Sequence, residues 1–182
     1  MDFKNCNIEE FWKYIASNLS QRGISTVLVG GAAVSVYTNG AYISGDLDLI
    51  VTSGVPKSLG VVMAKMGFNK EGRYFIHPEC SRFFVEFPSG PVAIGDDNHI
   101  VLKELVVDNS VIKIFSPTDC IKDRLASYIY FKSRDCLDQA LLVALAQPFN
   151  IKEIERWCKK EKAGDVLEEF KKNLSKAKKR TR

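Results

Sequence analysis

Apolar residues follow two different periods along the chain, and the change between them separates two regions. Residues 8–20 repeat apolar side chains every three or four positions, which predicts an amphipathic helix. Short β-branched and aromatic runs predict strands at 25–29, 46–51, 74–77, 82–87 and 111–115, with helices at 32–37 and 58–66. After Ser116-Pro117, which is typical of a helix start, the remaining periodic segments are helical, at 118–131, 135–146, 151–160 and 164–178. Residues 91–110 alternate too weakly to be assigned.

This order of elements predicts an α+β protein. A mixed β-sheet with flanking helices comes first, and a C-terminal helical bundle follows it. We expect an α/β domain over 1–115, a helical domain over 116–170 and a basic tail over 171–182.

Charge is distributed unevenly along the 182 residues. The net charge is +4, yet residues 171–182 contain seven Lys or Arg and no acid, so the rest of the chain is slightly acidic. Such a tail can contact the phosphates of nucleic acid, or it can be the solvated end of a helix. Five scattered cysteines, an acidic N-terminus and no long apolar run predict a cytoplasmic protein with reduced thiols and no membrane partner.

The candidate chemistry lies between residues 27 and 51. A strand runs into Gly30-Gly31, and a later strand begins with Asp46 and Asp48, which alternation places on one face. Two adjacent carboxylates repel each other unless a cation neutralises them, and Mg²⁺ is typically held by one or two carboxylates plus substrate phosphates. The glycines allow backbone N–H groups to approach a phosphate.

A third carboxylate would complete a two-metal site of the kind used in phosphoryl transfer. Glu86 is the single acid in an otherwise apolar predicted strand, which makes it the first candidate. The alternative source is Asp96-Asp97, in a predicted loop.

The ordered set of Gly-Gly, Asp-x-Asp and a later lone acid resembles the polymerase-β type nucleotidyltransferase superfamily. The fourteen-residue separation of Gly31 from Asp46, and the Arg134-Asp135-x-x-Asp138 element, are similar to the abortive-infection (type IV toxin) nucleotidyltransferases. Residue 31 is glycine where classical members carry serine.

This resemblance implies roles for individual residues. Asp46, Asp48 and Glu86 would be catalytic and would hold Mg²⁺ or Mn²⁺. The nucleotide-binding candidates are Gly30, Gly31, Ser44, Lys122, Arg124, Asp135 and Asp138.

The expected function is metal-dependent transfer of a nucleoside monophosphate from a nucleoside triphosphate to a hydroxyl of tRNA or protein, in a toxin-like role. A cognate toxin or antitoxin protein would be a partner. One alternative is a non-catalytic binding or antitoxin-type module on the same fold, and another is a nucleic-acid-binding protein dominated by its basic tail.

Overall fold

A computed structural model describes residues 1–53 and 56–180, and the side chains of residues 56–58 are not part of that description. Within these ranges the strands are β1 (Ser25–Val29), β2 (Asp46–Ser53), β3 (Asn69–Glu71), β4 (Tyr74–Ile76), β5 (Phe84–Glu86), β6 (Leu102–Val107) and β7 (Ser110–Phe115). The helices are α1 (Ile8–Gln21), α2 (Gly30–Tyr37), α3 (Pro56–Lys65), α4 (Pro117–Phe131), α5 (Arg134–Ala146), α6 (Ile151–Lys160) and α7 (Gly164–Arg180).

All seven strands of the described residues form one mixed sheet. Their order is β3-β4-β5-β2-β1-β7-β6. Strand β2 is central, antiparallel to β1 and parallel to β5. The arrangement confirms the predicted α+β class.

Two strands were missed by the sequence prediction. Strand β3 is short and fully exposed, so it carries no alternation of apolar and polar residues. Strand β6 lies in the unassigned stretch 91–110, and only one of its six residues, Val107, is buried, because it forms an edge of the sheet.

Helix starts are set by local capping. Asn7 and Glu10 form a capping box on α1, and Ser116 accepts a hydrogen bond from the Asp119 backbone N–H at the start of α4. Helix α2 begins at Gly30, two residues earlier than the predicted 32–37, so the Gly-Gly pair forms its first turn.

One hydrophobic core joins the sheet to the C-terminal helices. Helix α2 packs on β2 and also contacts α4 and α5. Phe115, at the end of the last strand, and Leu125 of α4 are buried in the same apolar cluster.

The C-terminal basic stretch is the second half of α7 as far as Arg180, whereas residues 181–182 lie outside the described residues. Buried Leu174 anchors this part of the helix, and Lys171 pairs with Glu155 at 2.7 Å. The basic stretch of the described chain is therefore a packed helix with one charged side.

The five cysteines are all buried and free. Among the described helices, none has the length and apolar character that crossing a membrane requires.

Candidate functional site

Three acidic side chains lie on one face of two neighbouring strands. Asp46 and Asp48 alternate along β2, and Glu86 is paired directly with Asp48 in the parallel β5. Side chains two residues apart on one strand, or directly opposite on its neighbour, share a face of the sheet. The register therefore brings together the three carboxylates that the sequence singled out.

The start of α2 lies against this group. Val29, which precedes Gly30, pairs with Asp48 across the β1–β2 ladder. Gly30 has a φ of +66°, and a Cβ atom there would lie 2.1 Å from Asp48 Oδ2. Only glycine fits such a conformation and such a close approach.

The first turn of α2 has no side-chain cap, although its residues Gly30 and Gly31 are buried. Val29, at its N-cap position, provides no side-chain hydrogen bond to the helix. The first N–H groups of a helix lack partners within it and attract negative charge. Beside the carboxylates, this turn can bind phosphate groups once a cation neutralises the acids.

A buried hydroxyl supports Asp46. The Ser44 hydroxyl donates a hydrogen bond to Asp46 Oδ1 at 2.7 Å, and Ser44 is 1% exposed. A Cβ atom on Gly31 would lie 2.6 Å from Ser44 Oγ and 3.3 Å from the Tyr42 hydroxyl oxygen. The Ser44 hydroxyl therefore lies in the space that a side chain at residue 31 would need. From this buried position it holds the Asp46 carboxylate in place.

The surroundings of Asp48 disfavour its ionised form. Burial, together with the negative charges of Asp46 and Glu86, raises the pKa of Asp48 to about 7, although Arg124 opposes this. A carboxyl that resists ionisation beside two other acids is a suitable ligand for a cation, because the cation would remove the cause of the shift.

The donor set fits Mg²⁺ or Mn²⁺ with partial coordination by the protein. Carboxylate oxygens are the ligands that these hard cations prefer. Among the described residues, no group of three or more acidic, histidine or cysteine side chains is arranged so that it could hold a metal ion by itself. The remaining ligands would be phosphate oxygens and water, as is usual for Mg²⁺.

Arg124 faces the carboxylates but is firmly held. Its Nε and Nη2 atoms donate to Asp123 Oδ2 at 3.1 and 2.6 Å, and Nη1 donates to Gln139 Oε1 at 3.3 Å. The side chain is only 13% exposed. Arg124 therefore acts on Asp48 mainly through its charge, and one carboxylate and one amide already occupy most of its donors.

Lys122 is not brought to the carboxylate group. Its ammonium is fully buried and contacts Asp119 at 2.9 Å, Asp97 at 3.0 Å and Glu153 at 3.3 Å. Burial opposes its charge, but hydrogen bonds to Asp119 and Asp97 raise the pKa of Lys122 overall. An ammonium enclosed in this way cannot reach a triphosphate. In this structure Lys122 stabilises the packing of α4 against α6 and the segment that contains Asp97.

The same contacts show whether Asp97, of the alternative acid pair Asp96-Asp97, is free to join the strand carboxylates. Asp97 is 1% exposed and also accepts a hydrogen bond from Arg156 at 2.5 Å. Burial alone would raise the pKa of Asp97, but the hydrogen bonds from Lys122 and Arg156 lower it. Asp97 is engaged in this ion cluster, which leaves Glu86 as the third acid of the strand group.

Asp135 and Asp138 lie on the exposed side of α5. Their neighbours Cys136 and Gln139 approach Arg124 instead. No hydrogen bond or ion pair in the described part of the chain joins either aspartate to the strand carboxylates, so their nucleotide-binding role stays a prediction.

Sequence reasoning missed three polar side chains near the group. Asp123 orients Arg124, and its charge acts on Asp48. The pKa of Tyr42 is raised by burial and then by the charge of Asp46. Arg73 reaches Glu86 from the β3–β4 hairpin. Only Asp123 had a sequence signal, its position beside the candidate Arg124.

Comparisons with known proteins identify the fold. No protein-family model matches the chain, and no curated protein matches it significantly. The crystal structure of an antigenic nucleotidyltransferase-like protein from Paracoccidioides brasiliensis is similar with a TM-score of 0.56 at 17% identity, over 78% of this chain and 77% of that one. The solution structure of the antibiotic-resistance factor ANT(2'')-Ia is similar with a TM-score of 0.55 at 11% identity, over 100% of this chain and 98% of that one. The chain therefore has a nucleotidyltransferase-like fold.

Proposed function

We propose that this protein transfers a nucleoside monophosphate from a nucleoside triphosphate to a hydroxyl acceptor, with Mg²⁺ or Mn²⁺ as cofactor. The observation that carries the proposal is the register of β2 and β5, which puts Asp46, Asp48 and Glu86 on one face beside the uncapped first turn of α2. The nucleotidyltransferase-like fold supports it.

Each group in the cluster has a defined task in this reaction. Asp46 and Asp48 would hold the divalent ion, with Asp46 kept in place by Ser44. When bound, the ion supplies charge neutralisation for the phosphates and the departing pyrophosphate. The N–H groups around Gly30 and Gly31 would bind phosphate oxygens.

Bond changes in the transfer balance without a further reactant. The acceptor oxygen bonds to the α-phosphorus while the bond from that phosphorus to the bridging oxygen of the β-phosphate breaks. Pyrophosphate leaves, and the hydroxyl proton passes to a carboxylate of the cluster. We propose Glu86, whose side chain is 19% exposed, as the carboxylate that receives it.

For the acceptor, we propose an RNA such as tRNA, with a protein hydroxyl as the alternative. The basic half of α7 supports RNA, because its lysines and Arg180 can neutralise backbone phosphates. A toxin-like role, with a cognate partner protein in the cytoplasm, is the biological setting that we propose for such a transfer.

A regulatory module without turnover is the second candidate. Glu86 already pairs with Arg73 at 3.5 Å, and Arg124 is held by Asp123. If Glu86 stayed paired with Arg73 when a nucleotide binds, the site would bind the nucleotide without completing the reaction, and an antitoxin-type role is the setting that we propose for this alternative.

Calorimetric titration of ATP, CTP, GTP and UTP, with and without Mg²⁺, tests the proposal. The Asp46→Asn variant should lose metal-dependent binding, whereas Asp108→Asn, the same change in the exposed β6–β7 turn, should not. Pyrophosphate release with tRNA or protein acceptors would identify an enzyme, and metal-dependent binding without release would favour the regulatory module. Equal binding by Asp46→Asn and the wild type would contradict both.

A further inference from the structure

Two arginines face the strand carboxylates, and they differ in how freely they can meet a ligand. Arg124 is 13% exposed, and each of its three nitrogens already donates a hydrogen bond to Asp123 or Gln139. Arg73 is 69% exposed, and its Nε lies 3.5 Å from Glu86 Oε1. Of these two arginines, Arg73 is therefore the more accessible to a ligand.

The β3–β4 hairpin explains how Arg73 reaches this position. Glu71 pairs with Tyr74, which leaves Gly72 and Arg73 as a two-residue loop, and Gly72 has the positive φ of +59° that favours glycine in such loops. Tyr74 in turn pairs directly with Glu86 across β4 and β5. An arginine next to Tyr74 is thus within side-chain reach of Glu86.

Contacts with Tyr74 orient the Arg73 guanidinium toward β5. The Arg73 guanidinium carbon lies 4.8 Å from the centre of the Tyr74 ring, and Arg73 Nη2 donates a hydrogen bond to the Tyr74 hydroxyl. The contacts with Tyr74 occupy one face of the guanidinium and Nη2, and the ion pair with Glu86 occupies Nε. The N–H donors of Nη1 therefore remain for another ligand.

Arg73 can leave Glu86 for another anionic partner at little cost in stability. An ion pair whose arginine is 69% exposed contributes little to stability, because water solvates the guanidinium well and holding the long side chain in one position costs entropy. A divalent ion at the carboxylates would supply the positive charge that Arg73 now supplies to Glu86. A triphosphate arriving with that ion would offer phosphate oxygens, which a guanidinium binds through two parallel hydrogen bonds.

We propose that Arg73 is a phosphate-binding residue of this site, which pairs with Glu86 in the nucleotide-free protein and moves to the triphosphate when nucleotide and metal bind. This inference rests on the proposed function. It adds a residue that no family motif in the sequence indicated, and it assigns the main phosphate contact to the exposed arginine of the hairpin instead of to Arg124.

Two titrations of the Arg73→Gln variant should change ligand affinity in opposite directions. Calorimetry with ATP and Mg²⁺ should show affinity reduced about 10- to 100-fold, the usual range for a lost charge-assisted hydrogen bond. Titration with Mn²⁺ alone should show affinity increased about two- to fivefold, because the competing cation at Glu86 has been removed. Simple damage to the fold would weaken both.

Two further variants complete the design. Arg73→Lys keeps the charge but lacks the planar fork, so its ATP affinity should lie between those of the wild type and Arg73→Gln. Lys70→Gln removes the same charge from the same hairpin, where the lysine lies over the Phe75 ring instead of beside Glu86. Both affinities of Lys70→Gln should stay within twofold of the wild type.

The Asp48→Asn variant, titrated in parallel, distinguishes failure of the Arg73 proposal from failure of the proposed function. If Asp48→Asn loses ATP binding and Arg73→Gln does not, the Arg73 proposal is wrong and the proposed function stands. If Asp48→Asn binds ATP as the wild type does, or if the wild type binds none of the four nucleotides, the proposed function and the inference both fail. Weakening of Mn²⁺ and ATP binding together in Arg73→Gln also overturns the inference.

Discussion

Replacing Asp48 with asparagine should stabilise the metal-free protein while removing metal-dependent nucleotide binding. Burial and the charges of Asp46 and Glu86 raise the pKa of Asp48 to about 7. An acid whose pKa is raised by folding costs stability wherever it must ionise in the folded state. Asparagine has the same shape without the charge, so it fits against Gly30 and avoids this cost.

The size of the effect depends on pH in a defined direction. Below the ordinary value of 3.8 the carboxyl is protonated in both states and contributes no difference. Between that value and about 7 the unfolded chain ionises first, so wild-type stability falls by at most about 1.4 kcal/mol per pH unit. Above about 7 the full cost is an upper bound of about 4 kcal/mol. Because Asp48 is only half-buried, solvent screening should reduce this to about 2 kcal/mol.

Urea unfolding at pH 5, 6, 7 and 8 in the presence of EDTA measures the effect. The free energy of unfolding of Asp48→Asn should exceed that of the wild type by an amount that increases with pH and levels off near pH 8. Asp108→Asn should follow the wild type at every pH. Adding millimolar Mg²⁺ and a nucleotide should stabilise the wild type but not Asp48→Asn.

Two results would refute the reasoning. A difference that does not change with pH would show that the carboxyl is not perturbed as the structure indicates. A variant less stable than the wild type at pH 8 would show that Asp48 makes a favourable contact in the metal-free protein.

Two other substitutions test separate parts of the structure. Lys122→Met should lower the free energy of unfolding by about 3–5 kcal/mol, measured by urea denaturation, because it leaves Asp97 and Asp119 buried with a missing cation. Gly30→Ala should abolish metal-dependent ATP binding in calorimetry and destabilise the fold by at least about 1 kcal/mol, because its Cβ would collide with Asp48 Oδ2 and its φ is positive.

Controls for these variants come from the same chain. Lys159→Met removes an exposed lysine of α6 and should change stability by no more than about 0.5 kcal/mol. Gly40→Ala also places alanine at a positive φ, of +78°, but nothing lies within 4 Å of its Cβ, so it should retain ATP binding. A Lys122→Met variant as stable as Lys159→Met, or a Gly30→Ala variant that binds ATP like Gly40→Ala, would contradict these interpretations.

Local pattern was sufficient to predict much of the sheet and the acids it carries. Strand β1 has the predicted bounds, 25–29, because four consecutive buried residues of β-branched or apolar character, Thr26 to Val29, leave few alternatives. Alternation alone put Asp46 and Asp48 on one face, since successive side chains of any strand point to opposite sides. Glu86 was distinctive because an acid within an apolar strand needs a special environment.

Tertiary structure decided which charged residues share that environment. Helix geometry puts Lys122 and Arg124, two residues apart on α4, on different faces, but it does not determine what each face meets. In the fold, Lys122 is enclosed by acids that include Asp97 and Glu153, whereas the charge of Arg124 acts on Asp48. Arg73 lies in an exposed hairpin with no periodic signal, and only the pairing of β4 with β5 brings it to Glu86. Local sequence determines which side chains share a face of one element, whereas contacts between distant elements depend on sheet order and helix packing, which are properties of the whole fold.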